Sequence, residues 1–277
     1  MTKNKQTVAF QGTYGAYSEE ALKTYFENDH IESLPCESFL DIFKAIESKK
    51  ANFGVLPVEN SLAGTVIQAY DELLNHKLTI HAEIKLRVRH HLMCHKKSNE
   101  TKIKKVYSHP QALSQCHDNL IKYNLKPCAY YDTAGAAKFI SDEKDHSNAA
   151  IASQLAAETY DLKILNHSFE DEDFNFTRFF ILSDQEKVFN PAKEYKTSVA
   201  FTLDHKPNSL VQALSVFSSR GINLCKIESR PSREGPWQYL FLADFLGYEN
   251  TTLIKEALDQ FKAQVKFLRI LGSYEIF

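Results

Sequence analysis

Cysteine is sparse in this 277-residue sequence: Cys36, Cys94, Cys116, Cys128 and Cys225 are scattered, odd in number and without a CxxC pair. That spacing excludes a disulfide framework and a zinc cage, and reduced, mostly buried thiols are expected. An excess of positive charge is missing too. Lys and Arg total 33 against 35 Asp and Glu, so nothing in the balance would neutralise a phosphate backbone, and nucleic acid is not an expected partner. No apolar run is long enough to span a bilayer, and MTKNKQTVAFQG at the N-terminus has no signal segment before the first strand pattern. A cytoplasmic protein without membrane contact is the expectation. His90, His91 and His95 lack the HExxH context of a zinc helix, so no metal is expected. The glycine-rich stretch QGTYGAYS (11–18) lacks both the GK[ST] of a phosphate loop and the third glycine of a dinucleotide fingerprint. No nucleotide cofactor is expected from it.

Against these absences stands an ordinary globular composition, 43% hydrophobic and 25% charged. The length suits about two domains, each with its own core. Up to residue 185, short apolar runs alternate with helical patterns, the mark of an α/β domain. Strands are expected at 7–12, 52–58 and through the extended stretch 77–94, with helices at 18–28, 40–48 and 65–74. A second cycle runs through 105–110, where Pro110 suits the first turn of a helix reaching 120, then 128–133 and 149–153, each followed by a helix. Two small lobes follow from this, the second covering about 80–160. The polar segment 186–196, with Pro191, reads as a linker. Beyond it, 197–277 reads strand, helix, strand, strand, helix, strand, the ferredoxin-like βαββαβ order. Gly221 is placed to end the first of those helices, and REGPW (233–237) to turn between the central strands.

Several strand-to-helix junctions in the first domain carry small or hydroxyl residues, at 12–18, 60–65, 108–111 and 132–135. Helix N-termini expose unpaired N–H groups and a positive dipole end, so a cleft assembled from several would take carboxylates or phosphates. Each junction taken alone is equally a helix cap. Glu59, Asn60 and Ser61 sit between an apolar strand and Gly64, where buried polar groups need partners, from a ligand or from an internal network. In NFTRFFIL (175–182), Thr177 and Arg178 interrupt an apolar run. The guanidinium suits a carboxylate ligand, or an acidic neighbour from EDED (170–173). His109 reads as a cap or hydrogen-bonding residue before it reads as an acid, and Cys116 as packing.

GTYGAYS (12–18), PVENSLAGTV (57–66), SHPQAL (108–113) followed by Gln115 and Cys116, NFTRF (175–179) and ESRP (228–231) occur together in one order and spacing. In this the chain resembles the prephenate dehydratases over nearly its whole length. The resemblance implies a two-lobed α/β catalytic domain, similar to the type II periplasmic-binding-protein fold, over 1–185, followed by an ACT regulatory domain over 197–277. It implies loss of carbon dioxide and the ring hydroxyl from prephenate, held between the lobes, to give phenylpyruvate. Thr177 would hydrogen-bond the departing hydroxyl, with Glu59 at a raised pKa, or His109, as the stronger acid. Ser18, Asn60, Ser61, Gly64, Thr65, His109, Asn175, Arg178 and Phe179 would hold the substrate. Phenylalanine would act as allosteric inhibitor between subunits of a homodimer or homotetramer. Its site would join Asn208, Ser209, Leu210 and Val211, standing where Gly-Ala-Leu-Val is usual, to Asn223, Glu228, Ser229, Arg230 and Pro231. No chorismate mutase domain is expected ahead of the first strand. The competing readings are an arogenate dehydratase and a non-catalytic sensor of small anions or amino acids.

Overall fold

A computed structural model describes residues 5–26, 30–143, 146–185, 188–232, 235 and 237–276. The first part of the chain runs β1 (Gln6–Gln11), α1 (Tyr17–Tyr25), β2 (Ile31–Cys36), α2 (Phe39–Glu47), β3 (Phe53–Asn60), the short β4 (Gly64–Thr65), α3 (Ile67–Asn75) and β5 (Thr79–Arg87). It continues as β6 (His91–His95), β7 (Lys105–Ser108), α4 (Pro110–Ser114), α5 (His117–Lys122), β8 (Lys126–Ala129), α6 (Thr133–Asp142), β9 (Asn148–Ala152), α7 (Gln154–Thr159), β10 (Leu162–Asn166) and β11 (Phe176–Ser183). The remainder is β12 (Tyr195–Thr202), α8 (Ser209–Ser218), β13 (Leu224–Pro231), β14 (Tyr239–Leu246), α9 (Thr252–Lys262) and β15 (Phe267–Glu275).

The chain forms two compact units, one holding residues up to Glu72 with Ile84–Phe180, the other holding Leu73–Glu83 with the chain from Ile181 on. In the first unit β1 lies between β2 and β3, parallel to both, and β11 borders β3 on its other side. Val8, Ala9 and Phe10 are fully buried, as expected of a parallel strand covered on both faces. The second lobe of this unit is a five-stranded sheet in the order β10-β6-β9-β7-β8, with β7 parallel to β8 and β9, and β6 antiparallel to β9 and β10. Every residue of β9 is buried, and small alanines there allow α6 and α7 to pack closely on the sheet. Its sheet therefore begins at His91 and ends at Asn166, later at both ends than the expected 80–160, because β5 pairs in the first lobe's sheet instead.

In the second unit the strands lie in the order β13-β14-β12-β15 with antiparallel neighbours. With α8 and α9 between them in sequence, this is the ferredoxin-like arrangement. Phe201, Phe217, Phe245 and Phe261 fill the core between helices and sheet, ring against ring at 4.8–4.9 Å. On β12, Ser198 turns to the other face and donates to Asp244 at 2.5 Å.

Sequence patterns placed residues 73–83 in the first domain, whereas their contacts are with the second unit. Arg269 donates to the carbonyls of Leu74 and His76, and Lys196 meets Glu83 at 2.6 Å with both side chains buried. At Gly272, a Cβ would lie 2.8 Å from the backbone of Ile80, so only glycine admits that approach. Of the expected linker, residues 186 and 187 lie outside the described residues, as do 27–28 of the expected first helix and Arg233, Glu234 and Pro236 of the expected turn.

Candidate active site

Between the lobes of the first unit lies a cavity of about 500 Å³. Helix starts converge on it, with Ala16, Tyr17 and Ser18 from α1, Val66 and Gln68 from α3, His109 and Gln111 from α4, and Asp132 and Thr133 from α6. No lysine or arginine is among the lining residues, and Asp132 is the one carboxyl among them. Favourable potential for an anion therefore comes from peptide dipoles and N–H groups rather than from side-chain cations. The junction residues do cap helices as well: Asp132 accepts from the Gly135 N–H and His109 Nδ1 accepts from the Gln111 N–H at 3.2 Å. Burial pushes the Asp132 carboxyl above the ordinary carboxylate range, although the Gly135 N–H and His109 pull the other way.

A chain of side-chain hydrogen bonds crosses the wall of this cavity. Asn60, at the end of β3, accepts through Oδ1 from the N–H groups of Leu62 and Ala63 at 3.1 and 3.0 Å. Its Nδ2 must then face the other way, donating to Asn175 Oδ1 at 2.8 Å and to Thr177 Oγ1 at 2.9 Å. Asn175 in turn donates to Gln115 Oε1 at 3.1 Å. His90 Nε2 meets the same oxygen at 2.8 Å, and His90 Nδ1 lies 2.7 Å from the Tyr17 hydroxyl. The Thr177 hydroxyl thus accepts from Asn60, and its proton has no acceptor among the described residues.

Ser18, Asn60, His109, Asn175, Thr177 and Phe179 are on the cavity wall. Glu59, Ser61, Gly64, Thr65 and Arg178 are not. Side chains alternate along a strand, so Thr177 and Phe179 on β11 face the cavity while Arg178 faces away. There its guanidinium lies over the Phe180 ring at 4.8 Å and bridges Glu59 at 3.4 Å. Glu59 is thus an acidic neighbour of this guanidinium. Ser61 ties β3 to the start of β11, donating to the Phe174 carbonyl at 2.7 Å and accepting from the Phe176 N–H at 2.9 Å. Gly64 and Thr65 pair with Asn60 and Glu59 as β4. Sequence reasoning missed Tyr17, His90 and Gln115 as wall residues. Gln115 and Tyr17 both stand inside motifs, at positions given no role, and His90 carries only the weak signal of a metal ligand.

In the second unit, Ser209 and Leu210 line a cavity of about 200 Å³ with Asp204, Lys206, Trp237 and Tyr239. Asn208 takes φ +70° at the start of α8, a left-handed conformation that asparagine tolerates better than most residues. Asn223 lines a different cavity of about 410 Å³ with Tyr195 and Tyr248. Glu228 to Pro231 lie on β13, at the outer end of the strand order, and line neither. Among the described residues no His, Cys, Asp and Glu cluster is arranged to hold a metal ion, and no helix is long and apolar enough to cross a membrane.

A two-lobed α/β cleft ringed by helix starts defines a protein that takes a small acid. Residues 8–187 match the family model described as prephenate dehydratase. Arogenate dehydratase/prephenate dehydratase 2, chloroplastic, of Arabidopsis thaliana is 42% identical over 278 residues, covering 97% of this chain and 72% of that protein. The solved prephenate dehydratase from Arthrobacter aurescens in complex with L-Phe superposes with a TM-score of 0.87 at 27% identity, over 97% of this chain and 89% of that one. GqqA, described as a novel type of quorum quenching acylase, superposes with a TM-score of 0.90 at 31% identity over 98% of both chains. The chain belongs to the prephenate dehydratase family. Its reaction removes carbon dioxide and the ring hydroxyl of prephenate, leaving phenylpyruvate.

Proposed function

We propose that Thr177 is the catalytic hydroxyl, passing its proton to the ring hydroxyl as that group departs as water and the ring carboxylate as carbon dioxide, and regaining a proton from solvent, and that prephenate rather than arogenate is the preferred substrate. The observation that carries the first half is the Asn60 to Thr177 hydrogen bond, which spends an acceptor lone pair of Thr177 and leaves its proton for the cavity. His109 adds a second hydrogen-bond donor on the wall, since its Nδ1 accepts from the Gln111 N–H and the neutral ring presents Nε2–H. Aromatisation drives the step, and the remaining task is to hold the ring carboxylate where it departs. Ser18 and Asn175, with the helix starts, hold the dianion and Phe179 meets its ring, while Asn60 positions Asn175 and Thr177. Arogenate carries an ammonium group, for which the wall offers a single carboxyl, Asp132, already accepting from the Gly135 N–H.

The second unit is read as an ACT domain in which phenylalanine acts as allosteric inhibitor. Asn208, Ser209, Leu210 and Val211 at the start of α8 and the group Asn223, Glu228, Ser229, Arg230 and Pro231 line no common cavity in one chain. A second copy would bring the halves together, so the enzyme is a homodimer or homotetramer, working in the cytoplasm.

The test is to incubate the protein with prephenate and with arogenate at neutral pH, following phenylpyruvate and phenylalanine, with and without added phenylalanine. Rapid phenylpyruvate formation that phenylalanine suppresses is the expected result. Preference for arogenate moves the substrate, and binding without turnover makes the chain a sensor. Acylase activity without prephenate turnover would align it with GqqA. No change in rate or Tm with millimolar phenylalanine removes the regulatory half.

A further inference from the structure

Tyr17 and His90 line the cavity but have no part in the reading above. His90 is 2% exposed, and every polar atom of it is engaged; its carbonyl accepts from the Phe169 N–H at 2.6 Å. Its backbone N–H donates to Glu170 Oε2 at 2.8 Å, and its ring joins the Tyr17 hydroxyl to Gln115 Oε1. Proton directions along this chain follow from the backbone. The Leu62 and Ala63 N–H groups fix Asn60 Oδ1, so Asn60 Nδ2 donates to Asn175 Oδ1 and Asn175 Nδ2 donates to Gln115 Oε1. Gln115 therefore turns its oxygen towards His90, and the imidazole must carry a proton on Nε2. The nitrogen end of the Gln115 amide has no acceptor among the described residues, and Gln115 is on the wall of this cavity and of a second one of about 320 Å³ beside Glu170 and Asp171.

We propose that His90 is a positioning residue for the dehydratase: by donating from Nε2 to Gln115 Oε1 it holds the Gln115 amide nitrogen towards the cavity, where it donates to an oxygen of the bound acid. A flipped Gln115 would set its NH2 against two donors, Asn175 Nδ2 and His90 Nε2–H, and would offer a carbonyl oxygen to an anion. The Tyr17 hydroxyl stands between His90 Nδ1 at 2.7 Å and the Arg89 carbonyl at 2.9 Å, so it is the Gln115 oxygen that fixes the proton on Nε2. Burial favours the neutral ring and keeps the Tyr17 phenol protonated. Protonation of the ring would leave Nε2–H in place.

This inference deepens the dehydratase reading and rests on it. The experiment is steady-state kinetics with prephenate for His90→Leu, His90→Gln, Gln115→Met and the double variant His90→Leu/Gln115→Met. Loss of one orienting hydrogen bond should lower kcat/KM about tenfold in His90→Leu, with partial recovery in His90→Gln, which keeps a donor. The double variant should be no slower than Gln115→Met alone, because His90 acts through Gln115. Wild-type rates in His90→Leu, or losses that simply multiply in the double variant, overturn the proposal. A second measurement needs no variant: 15N-labelled histidine spectra of the intact enzyme should show a buried ring protonated at Nε2. An Nδ1–H tautomer for His90 overturns the proposal even where His90→Leu does not fold. A wild-type enzyme that leaves prephenate untouched would sink the dehydratase reading instead, and the tautomer result would still stand.

Discussion

Asn60 donates to the Thr177 hydroxyl at 2.9 Å across 117 residues of sequence, and the N–H groups of Leu62 and Ala63 hold its amide in the one orientation that permits this. Asn60→Asp removes the donor and puts a carboxylate beside Asn175 Oδ1. The Thr177 proton would then go to that carboxylate and not to the substrate. The variant should lose about 100-fold in kcat, measured as phenylpyruvate formation from prephenate.

Thr177→Val keeps the shape and removes the hydroxyl, and kcat should fall by three orders of magnitude or about that. Thr177→Ser restores a hydroxyl without the branched methyl and should recover a substantial part of the rate. Equal rates in Thr177→Val and wild type would end the assignment.

Arg178 is 9% exposed and lies over the Phe180 ring with Glu59 as its anion. Arg178→Gln should therefore act on stability, by about 2 kcal/mol given the partial exposure of Glu59, with KM for prephenate changed little. A large rise in KM at unchanged Tm would instead make Arg178 a carboxylate ligand.

Gly15 adopts φ +86°, and a Cβ there would come within 2.7 Å of Ala156 Cα on α7. The Gly15 carbonyl accepts from the Ser153 hydroxyl at 2.6 Å, which locks the loop of one lobe onto the other. Gly15→Ala should cost about 2 kcal/mol or more and lower Tm measurably.

His91 has its imidazole pKa lowered to about 4, first by burial and then by His167, His90 and Arg89. The unfolded chain takes up this proton near the ordinary value of 6.5, so between those values it binds more protons than the folded one. Stability from this group is complete above about pH 6.5 and declines as the pH falls towards 4, by on the order of 2 kcal/mol. Urea midpoints from pH 7 to 4.5 should show that decline, and His91→Gln should flatten it.

Local chemistry made much of this molecule legible in advance. Pro110 opens α4, Asp132 and Ser153 cap α6 and α7, and apolar runs mark β12 to β15, because helix starts and strands depend on residues close in sequence. Thr177 and Arg178 show where such reasoning stops. Alternation requires them to face opposite ways, but only the packing of β11 beside β3 decides that the hydroxyl meets the cavity and the guanidinium meets Glu59. Leu73–Glu83 joins the second unit for a similar reason, since Arg269, Lys196 and Gly272 are nearly 200 residues or more than 100 residues away in sequence. Sequence by itself determined the helix caps and the strand and helix order of the second unit. The directions of Arg178, His90 and Gln115 came from tertiary structure alone, because a side chain's hydrogen-bond partners are set by chain segments that meet only on folding.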